Sequence, residues 1–97
     1  MPYYSMEEYV VNGFKKSKTR GKMYDAILQN KETKEIVKVP FGSDEYQNFS
    51  DKTGLNKYEH LIHGDPERRK KYIARHKGFL RPGFYSPGYF SYYFLWN

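Results

Sequence analysis

The sequence predicts an α+β fold: a β-hairpin packed by two or three short helices around an aromatic-rich core. Three observations point to it. Two strand-like runs, residues 23–29 (MYDAILQ) and 35–39 (EIVKV), flank the polar stretch 30–34. A sharply punctuated helix follows over residues 65–78. Aromatic residues make up 20% of the chain, with 11 Tyr, 7 Phe and 1 Trp, so a core built from a 38% hydrophobic fraction must rely on rings. At 97 residues the chain can bury one core and no more. The expected organisation is an N-terminal turn and basic arm over residues 1–22, then a single small domain over residues 23–97.

Along the chain, Ser5-Met6-Glu7-Glu8 matches the S-x-x-E capping box and predicts a short helical turn before Tyr9, Val10 and Val11. Residues 15–22 (KKSKTRGK) carry five positive charges and no apolar side chain, which reads as an exposed arm. In the second strand Ile36 and Lys38 face one side, Val37 and Val39 the other. Pro40 lacks an N–H, so it ends that strand or holds it at a sheet edge. Phe41-Gly42 begins a turn, and Ser43-Asp44-Glu45 predicts a cap for a short helix over residues 44–49. Residues 55–63 fit helix and irregular structure equally, with Leu61 and Ile62 expected to be buried.

The helix over 65–78 has the strongest signals. Asp65 is a good N-cap, Pro66 suits the first helical position, Glu67 favours the positive end of the dipole, and Gly78 supplies a left-handed stop. At about 100° per residue, Arg69, Tyr72, Ile73 and His76 form one stripe while Glu67, Lys70, Lys71 and Ala74 point away. Arg68 and Arg75 share a flank, and Glu67 precedes Lys71 by the spacing of an ion pair. Arg81-Pro82-Gly83 then reads as a turn, and Ser86-Pro87 repeats the helix-start signal. Its cap predicts a terminal helix over 87–95, its β-favouring rings argue for a strand, and both stay open. As a helix it would be apolar nearly all round, so the domain or a partner must wrap it.

A formal charge of +6 favours a polyanion or an acidic protein surface as partner, although solubility alone also accounts for a charge of this size. The absence of Cys excludes disulfides, thiolate metal sites and a Cys nucleophile. No apolar leader-like run opens the chain and no stretch nears the roughly 20 apolar residues of a membrane helix, so neither a secretory signal nor membrane insertion is expected. His60-x-x-His63 with Asp65 and His76 lacks a convincing set of ligands. His63 is expected to bond backbone near the helix start and His76 to pack beside Tyr72. No metal, cofactor or catalytic residue is assigned, and no enzyme activity is expected, because no nucleophile, base and glycine-rich loop stand in a recognisable arrangement.

Three groups of site residues remain. Lys15, Lys16, Lys18, Arg20 and Lys22 are the expected contact for phosphate or an acidic surface. A second cluster lies on the helix at Arg68, Arg69, Lys70, Lys71, Arg75 and Lys77, but Arg69 shares the stripe of Tyr72 and Ile73 and is read as structural. Asp65, Arg69, Tyr72, His76, Leu95 and Trp96 are the expected structural anchors. Seven large side chains in the tail cannot all enter one small core, so Phe84, Tyr85, Tyr89, Tyr92 and Tyr93 are the expected protein interface.

Tyr24-Asp25-Ala26, the run from Val37 to Phe41-Gly42, Tyr46, the pattern His63-x-Asp65-x-x-Arg68-Arg69-x-x-Tyr72-x-x-Arg75-His76 and a terminal Leu95-Trp96 carry a resemblance. In these residues the chain resembles a small uncharacterised family encoded by tailed phages, notably of cyanobacteria, and by large DNA viruses of algae and protists. The resemblance covers roughly residues 22–97; the R-R-x-x-Y-x-x-R-H helix and the terminal L-W are its most specific parts. The sequence departs from the pattern in Pro40, in a longer stretch between Tyr46 and His63, and in a more aromatic tail. The resemblance implies a viral setting and no activity. The leading expectation is a small virion structural protein, a minor capsid, cement or assembly-bracing component within a multi-chain assembly. Its partners would be capsid or other virion proteins, with packaged DNA met through the basic arm, and it would reside in the virion and, during assembly, in the host cytoplasm. The alternative is a sequence-neutral nucleic-acid-binding accessory protein of a virus or phage.

Overall fold

Alternating side chains and β-branched residues set the sheet, and it is larger than the expected hairpin. The computed structural model describes residues 4–76 and 83–97. In it β1 (Tyr4–Ser5) leads through a turn into β2 (Tyr9–Lys16), which pairs with β3 (Lys22–Asn30), which pairs with β4 (Ile36–Ser43). All of these pairings in the three-stranded sheet are antiparallel, with β3 in the middle. A 3-10 turn (Glu59–Leu61), helix α1 (Pro66–His76), strand β5 (Phe84–Tyr85) and helix α2 (Pro87–Phe90) follow, and α2 runs on into a π-helical turn (Ser91–Leu95). β5 returns to pair with β1, placing Tyr4 opposite Tyr85 and Ser5 opposite Phe84.

The expected hairpin is β3–β4, with Gln29 opposite Ile36, Ala26 opposite Val39 and Tyr24 opposite Phe41. Its loop is ordered by Asn30, whose Oδ1 accepts the N–H groups of Glu32 and Thr33 at 2.9 and 3.0 Å. Pro40 does not end β4, which continues to Ser43; it sits opposite Asp25 on an edge strand, where a missing donor is tolerated.

The N-terminal expectations need correction. The S-x-x-E pattern closes a single turn, with Glu7 N–H on Ser5 Oγ at 3.1 Å and Glu8 N–H on Ser5 O at 3.1 Å, and no helix follows. Val10 and Val11 prefer extended backbone, and opposite Gln29 and Leu28 they gain a full ladder. Residues 9–16 are therefore part of the sheet, and a domain boundary after residue 22 would cut through it. Lys15 and Lys16 lie within β2 and Lys22 opens β3, so the basic run is a hairpin end rather than an arm.

The helix expected over 44–49 does not form. Asn48 is drawn instead into a bridge with Ile62: its N–H donates to Leu61 O at 2.7 Å and its carbonyl accepts from His63 N–H at 3.0 Å. Leu61 and Ile62, expected inside, are half-buried. In α1 the expected stripe appears in the burial pattern: Arg69, Tyr72, Ile73 and His76 are half-buried and the other helix residues exposed. Asp65 Oδ1 accepts Glu67 N–H at 2.9 Å, which makes it the cap. Among the described residues Glu67 and Lys71 form no ion pair, contrary to their spacing. Lys77, Gly78, Arg81 and Pro82 lie outside the described residues. The tail takes the helical alternative, with Ser86 Oγ capping Tyr89 N–H at 3.2 Å.

The core joins β3 (Met23, Tyr24, Ala26, Leu28) and β4 (Val39, Phe41) to the tail residues Phe90, Leu95 and Trp96. Phe90 is wedged among Phe41 at 5.4 Å, Tyr85 at 5.6 Å and Phe14 at 6.0 Å between ring centroids. Full burial of one such side chain is worth roughly 1.5–3 kcal/mol, so the tail is a principal source of stability.

Candidate functional site

The last residues are fastened from three directions. Trp96 lies parallel to Tyr72, 4.2 Å between centroids with 2° between planes, and donates its indole N–H to Asn48 Oδ1 at 3.2 Å. Arg69 donates Nε–H to Trp96 O at 3.0 Å and an Nη2 hydrogen to Asn97 Oδ1 at 3.1 Å, with its guanidinium 5.6 Å from the Phe49 ring centre. Ser50 N–H and Lys52 N–H donate to the carbonyls of Leu95 and Phe94, both at 2.8 Å. His76 stacks on Tyr72 at 4.2 Å, completing a column of Trp96, Tyr72 and His76. Of the structural anchors read from the sequence, Arg69, Tyr72, His76 and Trp96 thus meet at one place, and Arg69 holds the last residues as its stripe position implied.

Asn48 is the hub that sequence reasoning missed. It is 6% exposed, and its amide reaches Trp96, Met23 Sδ at 3.1 Å and Tyr46 O at 3.3 Å. A lone Asn in a polar stretch gives no periodic signal, so nothing in the sequence marks it as buried. His63 lies against Trp96 at 5.3 Å and accepts Asp65 N–H on Nδ1 at 2.9 Å, the backbone bond expected of it. Burial, with the charge of Arg68 second, lowers its pKa below the usual 6.5, and its Nε2 is buried without a partner.

Over this anchor opens a groove of about 630 Å³, with one wall on α1 and the other on residues 42–48. Its lining takes Arg68, Lys71, Tyr72, Arg75 and His76 from α1, Tyr46 and Gln47 from the 42–48 segment, and Trp96 from the tail. The lining contains no Asp or Glu. Arg68 Nη1 bridges to Gln47 Oε1 at 2.6 Å, while Lys71 and Arg75 make no hydrogen bond or ion pair among the described residues. Tyr46 is 70% exposed. The flank of Arg68 and Arg75 was legible in the helix; that Lys71 joins them is a consequence of the i, i+3, i+7 spacing, and Tyr46 enters only through the fold.

The basic run divides. Lys15 and Lys16 are neighbours on a strand and point to opposite faces. Lys16 Nζ lies 5.7 Å from the Tyr58 ring centre, whereas Lys15 sits beside Lys38, whose ammonium group lowers its pKa. Lys18, Arg20 and Lys22 are exposed around the turn. Strand alternation thus sets Lys15 apart from Lys16 on the sheet. Among the expected interface rings, Phe84 and Tyr93 are each 41% exposed, while Tyr85, Tyr89 and Tyr92 are half-buried. Tyr89 touches Tyr85 at 5.3 Å and Tyr93 at 4.7 Å, and Tyr93 touches Tyr92 at 4.9 Å, so the tail presents a continuous ring surface.

Among the described residues no group of three His, Asp or Glu side chains could hold a metal ion, and no helix is long and apolar enough to cross a membrane. No protein-family model, curated protein or solved structure matches the chain. What the groove offers chemically is positive charge and ring faces.

Proposed function

We propose that the chain is a small structural protein of a viral particle, a minor capsid, cement or assembly-bracing component that works through contacts with neighbouring proteins. The observation that carries this reading is the surplus of rings at the surface. Among the described residues only Tyr24, Phe41, Phe90 and Trp96 are buried rings, while Phe84, Tyr93 and Tyr46 are exposed. Aromatic residues outside a core are the ones enriched at the centres of protein interfaces. The viral setting comes from the resemblance of residues 22–97. Mass spectrometry of purified particles tests it, with stoichiometric copy number as the expected result. A Phe84→Ser/Tyr93→Ser variant should fold and yet fail to enter particles, and normal incorporation would refute the ring surface as the contact.

Sequence-neutral nucleic-acid binding is the second reading, favoured by the carboxylate-free groove. Salt separates the two. A phosphate binder loses affinity steeply between about 50 and 200 mM salt, and a ring-based protein contact changes little.

A further inference from the structure

We infer that the groove between α1 and residues 42–48 is a site for an unpaired nucleic-acid strand, its phosphates on Arg68, Lys71 and Arg75 and a base against Tyr46. The inference rests on the second reading above and gives it a place and a ligand class. Each part of the groove contributes a separate argument.

The charge is uncompensated. Three cations line one wall, no carboxylate faces them from any side of the groove, and Lys71 and Arg75 have no protein partner among the described residues. Arg68 is tethered to Gln47 through Nη1 and keeps its other donors. Surface cations of a purely solvating face are normally interspersed with acids, and α1 has its single acid, Glu67, outside the lining.

The spacing suits a polymer. Positions 68, 71 and 75 fall within about 60° of one another around the helix and span roughly 10 Å of its axis, enough to meet successive phosphates of one strand. A single small anion would need convergent donors, which this row does not provide.

The opposite wall selects for exposed bases. Among the described residues Tyr46 is the most exposed large ring, at 70%, and with the three cations it lines a space of about 630 Å³, within the range of small-ligand sites. A base can enter such a space only when it is unpaired, and stacking on a tyrosine is tolerant of base identity. Sequence neutrality also follows from the polar lining: the Asn48 amide is committed to Trp96, Met23 and Tyr46 O, and the Gln47 carbonyl oxygen to Arg68, which leaves few groups to read a base edge.

The test is fluorescence anisotropy of the full chain with labelled 20-mers of dT and dA and a 20-bp duplex, at 50 and 200 mM salt. Wild type should bind both single strands more tightly than the duplex. Lys71→Gln/Arg75→Gln, which leaves Arg68 and Gln47 joined, should weaken single-strand binding about tenfold or more and lower the salt slope by about 1.4. Tyr46→Ala should weaken it by about tenfold with the slope unchanged. Melting temperatures within a few degrees of wild type confirm that each variant is folded.

A variant with Lys15, Lys16, Lys18, Arg20 and Lys22 changed to Gln is the comparator. If it alone loses binding while both groove variants bind as wild type, the groove is overturned and nucleic-acid binding stands. If wild type binds no oligonucleotide even at the lower salt, both fall. Equal affinity for duplex with no effect of Tyr46→Ala, or displacement by polyglutamate as readily as by unlabelled single strand, also overturns the inference.

Discussion

Gly42→Ala should destabilise the protein by about 2–5 kcal/mol. The backbone at Gly42 has φ +76°, a left-handed conformation that costs an L-residue with a Cβ about 1–2 kcal/mol. A Cβ there would also stand 2.8 Å from Leu95 Cδ1, 3.1 Å from Met23 Sδ and 3.3 Å from Met23 Cβ. Leu95 and Met23 are both fully buried. The Leu95 methyl and the thioether can swing by a few tenths of an ångström, but Met23 Cβ is fixed to the central strand, so overpacking adds about 1–3 kcal/mol. For a domain of this size each kcal/mol moves the midpoint by about 4–8 °C, which gives an expected fall of roughly 8–40 °C in thermal melting followed by circular dichroism. Gly21→Ala is the matched control, because Gly21 has φ +82° and open space where its Cβ would go. It should lose only the backbone part, about 1–2 kcal/mol. Equal losses at the two glycines would refute the packing argument, and a Gly42→Ala midpoint within about 2 °C of wild type would refute the whole of it.

Asp65→Ala removes the cap on Glu67 N–H and should lower stability by about 1 kcal/mol in urea titration; an unchanged midpoint would mean the helix start is held otherwise. Burial and the Asp51 hydrogen bond, at 2.5 Å, push the Tyr24 phenol up to about 12. Because the folded value lies above the unfolded one, this stabilisation is whole below about pH 10 and is lost as pH rises towards 12. Tyr24→Phe should flatten that alkaline limb, and should cost about 1.5–3 kcal/mol at neutral pH through the lost bond to a carboxylate. For His63 the sign is reversed: its folded pKa lies below 6.5, so its contribution is whole above about pH 6.5 and is lost as pH falls through the window beneath it, when the unfolded chain takes up the proton first. His63→Asn keeps an acceptor for Asp65 N–H and should remove this part of the acid sensitivity in melts between pH 7 and 5; an identical pH profile would show that His63 does not contribute to it.

Local chemistry by itself determined the elements whose signals lie within a few residues. The β3–β4 hairpin follows from alternation around a polar loop, and α1 from Asp65, Pro66 and the stripe of Arg69, Tyr72, Ile73 and His76, because caps and periodicity are properties of neighbours in sequence. The anchors Asp65, Arg69, Tyr72 and His76 were legible for the same reason. Contacts between distant segments decided the rest. Tyr9–Lys16 is a strand because β3 offers it a free edge, a fact that no S-x-x-E pattern can contain. Residues 44–49 form a turn and an isolated bridge instead of a helix because Asn48 is claimed by Leu61, His63 and Trp96, 13 to 48 positions away in the chain. The tail was open between strand and helix on propensity alone, and the helix won where Phe90, Leu95 and Trp96 could all reach the sheet and α1. The groove belongs to the same class. Its cations sit on one legible helix, but only tertiary structure brings Tyr46 into the same lining and leaves every carboxylate out of it, since a concave surface is made by two segments and belongs to neither sequence.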